Sequence, residues 1–344
     1  MIAPENQTEQ FKAMLSGAES IIIIPHKDPD GDATGASLAW LNALRQKGID
    51  AQVVTPTSVP NNLTWMKGFE YVTDANFNLK KAGELISSAD MILFLDFNTM
   101  SRLGELRQFF ETSATPRVVI DHHPLPEDRI GNVLFSDITV SSACELCYNI
   151  MKAMDINIDA DIAECLYTGI ITDTGRLSYS SSRPEVYYIV GDLILKGIDK
   201  KKIHSAVYQN ASASSLQLLG YSLCSAMERV DELPVAFIAL SKNDLDRFNY
   251  QPGDTEDLVN YPLNIGGITF SALLSERKKG FVKASFRSQG EISVNHFARL
   301  YFSGGGHKNA AGGEMRDTLD NVKEFFRQKV KEFFELNNSS ITND

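Results

Sequence analysis

Residues 20–32 read Ser20-Ile-Ile-Ile-Ile-Pro25-His26-Lys27-Asp28-Pro29-Asp30-Gly31-Asp32. The four isoleucines show no polar alternation, so the strand they form is covered on both faces, as in a parallel sheet between helix layers. A histidine and three aspartates follow at once. Carboxylates crowded so closely repel one another, and bound cations resolve that repulsion. After the Gly/Asp-rich turn DPDGDATG comes a helix, ASLAWLNALRQKG, closed by Gly48. In open α/β sheets a turn placed between a strand and the next helix lies at the carboxyl edge, where ligands bind.

The same pattern recurs outward from this stretch. QTEQFKAMLSGA reads as a leader helix, DAQVVTP, ADMILFLDF and PRVVIDHH as strands, and NNLTWMKGFE as loop and turn. SRLGELRQFFE reads as a helix. Ser142 with Glu145 fits a capping box opening the next helix, and DADIAECLYTGIITDTG is a further one. Cys144 and Cys147 form a C-x-x-C without a second pair to complete a zinc site, so they read as a buried helix face.

Four clusters stand out: His26 to Asp32, Asp96 closing MILFLDF, Asp121-His122-His123 closing RVVI, and Asp173 within GIITDTGRLSY. Each has an ordinary reading. D-x-D-G-D can be a calcium loop, but position 12 counted from Asp28 is Ala39, not the closing Glu. Asp96 can be a strand-end aspartate, the His-His pair a surface feature, Asp173 a helix cap. Four together, three at one sheet edge, favour a metal site. Mixed carboxylate and imidazole donors suit Mn, Fe or Zn, and two cations ~3.5–4 Å apart need a bridging carboxylate.

The chain has 344 residues, 43% of them hydrophobic, enough for about two domains at ~150 residues each. From about Asp192 to Arg229 it is helical and polar. LPVAFIALS, GITFSALLSE and KGFVKASFRS then read as closely spaced strands of a mixed or antiparallel sheet, before a last amphipathic helix. The fold class is therefore α/β: an N-terminal parallel-sheet domain (1–190), a helical connector (191–229), and a smaller C-terminal α/β domain with a mixed sheet (230–338). A cleft between the domains and a disordered tail (339–344) complete the expectation. Net charge is −11 with no basic stripe, which argues for a small substrate over a long nucleic acid. The start MIAPENQTEQ has no basic or apolar signal character and no stretch is of membrane-span length, so a cytoplasmic protein with no membrane partner is expected.

On Asp121-His122-His123 and on Gly304-Gly-Gly-His307-Lys-Asn309-Ala-Ala-Gly312, preceded by Ser285-Phe-Arg287-Ser288, the sequence resembles the DHH/DHHA1 phosphoesterases over nearly its whole length. Among them it looks most like the bifunctional nanoRNase and pAp phosphatase group. The resemblance implies two divalent metal ions, of which manganese is the expected identity. His26, Asp30 and Asp96 would hold one; Asp32, Asp96, His122 and Asp173 would hold the other. His123 would face the phosphate, Asp121 would orient the histidines, and Asp28, not a ligand in the matching pattern, would be a turn residue or an outer-shell partner. Arg287, Ser288, Gly304, Gly305, Gly306, His307 and Asn309 would bind substrate, the glycines by letting backbone amides approach an anion. Arg102 would reach a phosphate or form a structural ion pair. The implied substrates are short single-stranded RNA and pAp. Linear di-adenylate, polyphosphate and a non-catalytic nucleotide-binding module are the alternatives, and a homodimer is left open.

Overall fold

The computed structural model describes residues 4–341 apart from 112, 125, 129, 180, 210 and 256. The chain divides into two compact units, Met1–Asn210 and Ala211–Asp344. The first contains α1 (Glu5–Ser16), β1 (Ser20–Pro25), α2 (Gly31–Gln46), β2 (Asp50–Thr55), β3 (Val72–Asp74), α3 (Ala75–Ser88), β4 (Met91–Leu95), β5 (Arg117–Asp121), β6 (Val133–Ser136), α4 (Ala143–Ala153), α5 (Ala160–Asp173), α6 (Pro184–Leu195) and α7 (Lys200–Tyr208). Its six strands lie in the order β3-β2-β1-β4-β5-β6, and every pairing is parallel.

Both faces of this sheet are covered, which is why its strands are apolar throughout. Along β1, Ile21 and Ile23 enter one core with α1, α2, α4 and α5, while Ile22 and Ile24 enter a second with α3 and the segment after β4. Strand order reverses between β1 and β4, and such a switch point opens a crevice at the carboxyl ends. There the chain leaves β1 at His26, β4 at Asp96 and β5 at Asp121.

Several local readings change. Helix α2 begins at Gly31, inside the stretch expected to be a turn, because Asp30 caps it by accepting from the amides of Asp32 and Ala33, both at 3.0 Å. SRLGELRQFFE is not an α-helix: Met100–Phe109 winds as 3-10 turns broken at Gly104, whose φ is 55°. NNLTWMKGFE holds short 3-10 turns, and β3, α3 and β6 were not anticipated. Helix α3 is kinked at Asn78, which blurs its periodicity.

The second unit contains α8 (Ala213–Cys224), β7 (Met227–Val230), β8 (Val235–Leu240), α9 (Lys242–Arg247), β9 (Phe270–Lys278), β10 (Phe281–Ser288), α10 (Val294–Tyr301), β11 (Gly305–His307), β12 (Ala310–Met315) and α11 (Leu319–Ile341). Residues 342–344 of the expected tail lie outside the described residues. The sheet is mixed, ordered β11-β12-β10-β9-β8-β7, with β8 and β9 parallel and the other pairs antiparallel. Phe237, Phe270, Phe286, Phe297 and Phe326 pack under it in mainly edge-to-face contacts. Among the described residues, no helix is long and apolar enough to cross a membrane.

Helices α2 and α5 approach so closely that glycines line the contact. A Cβ on Gly35 would stand 2.5 Å from the Cys165 carbonyl oxygen, which is backbone and cannot swing away. Gly35→Ala should therefore destabilise the chain by about 1–3 kcal/mol, read as a lower denaturant midpoint at constant slope; an unchanged midpoint would mean that the helices have slack.

Candidate metal centre

The crevice gathers side chains from four distant stretches. Asp96 is 2% exposed and adopts a left-handed backbone, φ 53°, which turns its side chain out of the end of β4. Its Oδ2 lies 3.1 Å from His26 Nε2, and its Oδ1 lies 3.6 Å from His122 Nε2. The same His122 nitrogen stands 3.7 Å from Asp32 Oδ2 and 3.7 Å from Asp173 Oδ2. These last separations are too long for hydrogen bonds, but they suit donors arranged around a shared cation.

Three sets of potential ligands thus share one carboxylate, each with ligand atoms within 4.8 Å of one another: His26, Asp30 and Asp96; Asp32, Asp96 and His122; and Asp96, Asp121 and His123. Buried Asp96 Oδ1 accepts no hydrogen bond among the described residues. A buried carboxylate oxygen left in that state is costly unless a cation serves it.

His123 is held differently. Its Nδ1 lies 2.9 Å from Asp121 Oδ1, and its backbone amide donates to Asp121 Oδ2 at 2.9 Å. Asp96 Oδ1 is also near, 3.2 Å from Nδ1, but the hydrogen-bond alignment favours Asp121. Asp121 is fully buried and so fixes the ring. His26 is anchored through Nδ1, 2.7 Å from the Lys27 carbonyl.

Electrostatics separates the acids. Burial, reinforced by Asp96 and Asp173, pushes Asp32 well above the usual carboxylate range. Burial acts on Asp96 the same way, but the charges of His123 and His26 outweigh it and hold Asp96 well below that range. For His123 burial works against the proton, and Asp96 and Asp121 more than offset it, raising the ring to about 10. The surroundings thus push these two carboxylates in opposite directions, a disparity typical of functional sites.

The other expected residues fall as follows. Asp28 has φ 56° and donates its amide to Thr57 Oγ1, forming the turn. Arg102 Nη1 donates to the Asp96 carbonyl at 3.3 Å, and the Arg102 carbonyl accepts from the Lys27 amide at 2.7 Å, tying the two strand-end turns together. In the second unit, Gly304-Gly-Gly-His307-Lys-Asn309 opens a β-hairpin of β11 and β12. Two of its glycines answer crowding within the unit: a Cβ on Gly304 would lie 1.9 Å from the Gly312 carbonyl oxygen, and Gly306 has φ 147°, whereas a Cβ on Gly305 would meet only ordinary contacts. Asn309 Nδ2 donates to Ser288 Oγ at 2.8 Å and to the carbonyls of Gly290 and Ile292, while Ser288 Oγ donates to the Ile292 carbonyl at 2.6 Å. Those two side chains hold the turn after β10. Arg287 lies on β10 opposite Ala310.

Sequence reasoning missed the amides of Ala143 and Cys144, which donate to Asp32 Oδ2 at 2.6 Å and Oδ1 at 2.8 Å. The capping signal at Ser142 placed the start of α4 but not what it faces. Glu145 also departs from a reciprocal box: Ser142 Oγ accepts from the Glu145 amide, while the Glu145 carboxylate takes the Ser141 amide.

Comparisons agree with this architecture. The DHH family N-terminal domain profile matches residues 20–170, and the DHHA1 domain profile residues 233–336. The bifunctional oligoribonuclease and PAP phosphatase NrnA of Thermus thermophilus is 28% identical over 314 residues, 91% of this chain and 89% of that protein. The crystal structure of an exopolyphosphatase-related protein from Bacteroides fragilis superposes with a TM-score of 0.89 at 35% identity, covering 97% and 98% of the two chains. RecJ from Thermus thermophilus, solved in complex with Mn2+, shares the fold at a TM-score of 0.55 and 14% identity, over 95% of this chain and 54% of its own.

Because both Asp32 oxygens accept backbone amides, Asp32→Asn sets its Nδ2 against one of those N–H groups and should melt below chelator-treated wild type while losing most of the rise that manganese gives. A variant that melts lower yet keeps the full rise would contradict the metal assignment of Asp32.

Proposed function

The chain belongs to the DHH family, with a DHHA1 domain, and from that premise we propose that it is a dinuclear-metal phosphoesterase cleaving short RNA oligonucleotides and pAp. The observation that carries the reading is the Asp96 carboxylate, whose two oxygens face two different imidazoles, His26 and His122. A carboxylate so placed could serve a cation on each side. His26, Asp30 and Asp96 would hold one cation, and Asp32, Asp96, His122 and Asp173 the other. Mixed nitrogen and oxygen donors favour manganese over magnesium or calcium.

Cations bound there supply charge to offset the phosphate oxygens and a nucleophilic water at neutral pH. The chain's own groups do the rest. Asp121 fixes the His123 ring through Nδ1, which leaves the other ring nitrogen to face a phosphate or leaving oxygen. Arg102 braces the turn that carries Asp96. Arg287 and His307 supply donors for a second phosphate or the adjoining nucleotide. Ser288 and Asn309 hold the segment next to Arg287, Gly304 and Gly306 let the hairpin bearing His307 close tightly, and the run Gly304, Gly305 and Gly306 would let backbone amides approach an anion. Relatives named oligoribonuclease and PAP phosphatase support the substrate class. The exopolyphosphatase-related neighbour at 35% identity favours polyphosphate as the second reading.

A manganese-supplemented hydrolysis panel tests the choice. Release of mononucleotides from RNA dimers to pentamers and of phosphate from pAp, both abolished in Asp96→Ala, is the expected result. Turnover confined to polyphosphate would select the second reading, and undiminished activity of Asp96→Ala would remove the bridging carboxylate from the mechanism.

A further inference from the structure

Asp32 is 1% exposed, and its orientation is set by another helix. Both its oxygens accept amides from the first turn of α4, at Ala143 and Cys144. Amides there have no carbonyl partner within their own helix and are free to hold an anion. Where α4 begins therefore decides where the Asp32 carboxylate points.

The beginning of α4 is in turn fixed by a second buried carboxylate. Glu145 is 1% exposed. Its Oε2 accepts the Ser141 amide at 2.7 Å, and its Oε1 accepts from Arg183 Nη1 at 3.2 Å. The same Arg183 nitrogen donates to the Thr139 carbonyl at 2.7 Å. Arg183 thus clamps the turn before α4 at two points.

Arg183 also closes the segment that leaves α5 at Asp173. Just after Asp173 the chain winds tightly: Gly175, Arg176 and Leu177 have φ of 52°, 61° and 64°, and the Arg176 amide donates to the Ile171 carbonyl at 2.7 Å. The Tyr179 amide returns to the Thr174 carbonyl at 2.9 Å. Consecutive left-handed residues are strained and persist only where the surroundings hold them. The Glu145–Arg183 pair consequently joins two segments, each holding one of the carboxylates that face His122 Nε2. His26 and Asp30 are fixed by other contacts, the Lys27 carbonyl and the α2 amides. The pair is only half-buried, with the Arg183 side chain 29% exposed, and such a pair adds little net stability because solvent screens one partner and desolvation penalises the other; its return here is geometry.

We propose that Glu145 and Arg183 are positioning residues for the cation of Asp32, His122 and Asp173, setting the affinity of that one cation without touching it. The proposal rests on the two-cation reading above. Manganese titration calorimetry on the full-length chain tests it, with wild type, Glu145→Gln, Arg183→Lys and, as a control on the same helix, Tyr148→Phe, which loses a hydrogen bond to Asp192. Wild type should bind in two steps. In Glu145→Gln one step should weaken roughly 10- to 100-fold while the other stays within about twofold; Arg183→Lys, which keeps the charge, should weaken the same step less. Tyr148→Phe should leave both steps alone. Two wild-type steps with both unchanged in Glu145→Gln, both weakened alike, or the same pattern in Tyr148→Phe would overturn the positioning role and leave the two-cation reading standing. A wild type that binds fewer than two ions would overturn both. Should Glu145→Gln fail to fold, Arg183→Lys decides by the same single-step criterion.

Discussion

Everything at this site follows from placing the carboxylates of Asp32 and Asp96 beside each other, out of water. Their oxygens lie within 4.8 Å of each other, and were both ionised, an effective dielectric of ~20 would leave a repulsion of roughly 3–4 kcal/mol. Full burial of one isoleucine contributes about 1.5–3 kcal/mol, and β1 alone buries four. The sheet therefore has enough apolar surface to force the acids together, and the imidazoles of His26, His122 and His123 are the local groups that soften the repulsion. The arrangement is tolerable without cations and complete only with them.

The means of enforcement are spread over the whole first unit. Asp96 is presented by a left-handed residue at the end of a buried strand, next to the point where strand order reverses. Asp32 lies in the first turn of α2, which reaches α5 because Gly35 and Gly169 carry no side chain: a Cβ on Gly169 would stand 2.9 Å from Asp32 Oδ1. Asp173 ends α5 itself. Close helix packing and ligand convergence are thus one fact, and a methyl group at that contact would disturb both. The second unit rests on a separate phenylalanine core that positions Arg287 and the hairpin of His307.

The legible parts of the sequence were those governed by local patterns. Runs such as Ile21–Ile24 and Met91–Leu95 announced strands buried on both faces, and the polar residues after them fell at the sheet's carboxyl edge. The six acid and histidine ligand candidates of the first unit were legible for the same reason, since each follows a strand or ends a helix. What stayed hidden depends on contacts distant in sequence. Nothing local tells that the amides at 143 and 144 face Asp32, or that Glu145 pairs with Arg183. For the glycines at 304–306, expected to let backbone amides approach a ligand, strand-to-strand crowding in the β11–β12 hairpin adds a second reason at Gly304 and Gly306. Residues 100–109 carried helical spacing, yet Gly104 breaks them into 3-10 turns.

The most direct measurement is anomalous diffraction at the manganese edge from crystals grown with that ion. Two peaks ~3.5–4 Å apart are predicted, one within coordination reach of His26 and Asp30, the other of Asp32, His122 and Asp173, with Asp96 touching both. A single peak, or peaks that leave Asp96 outside their coordination spheres, would contradict the account.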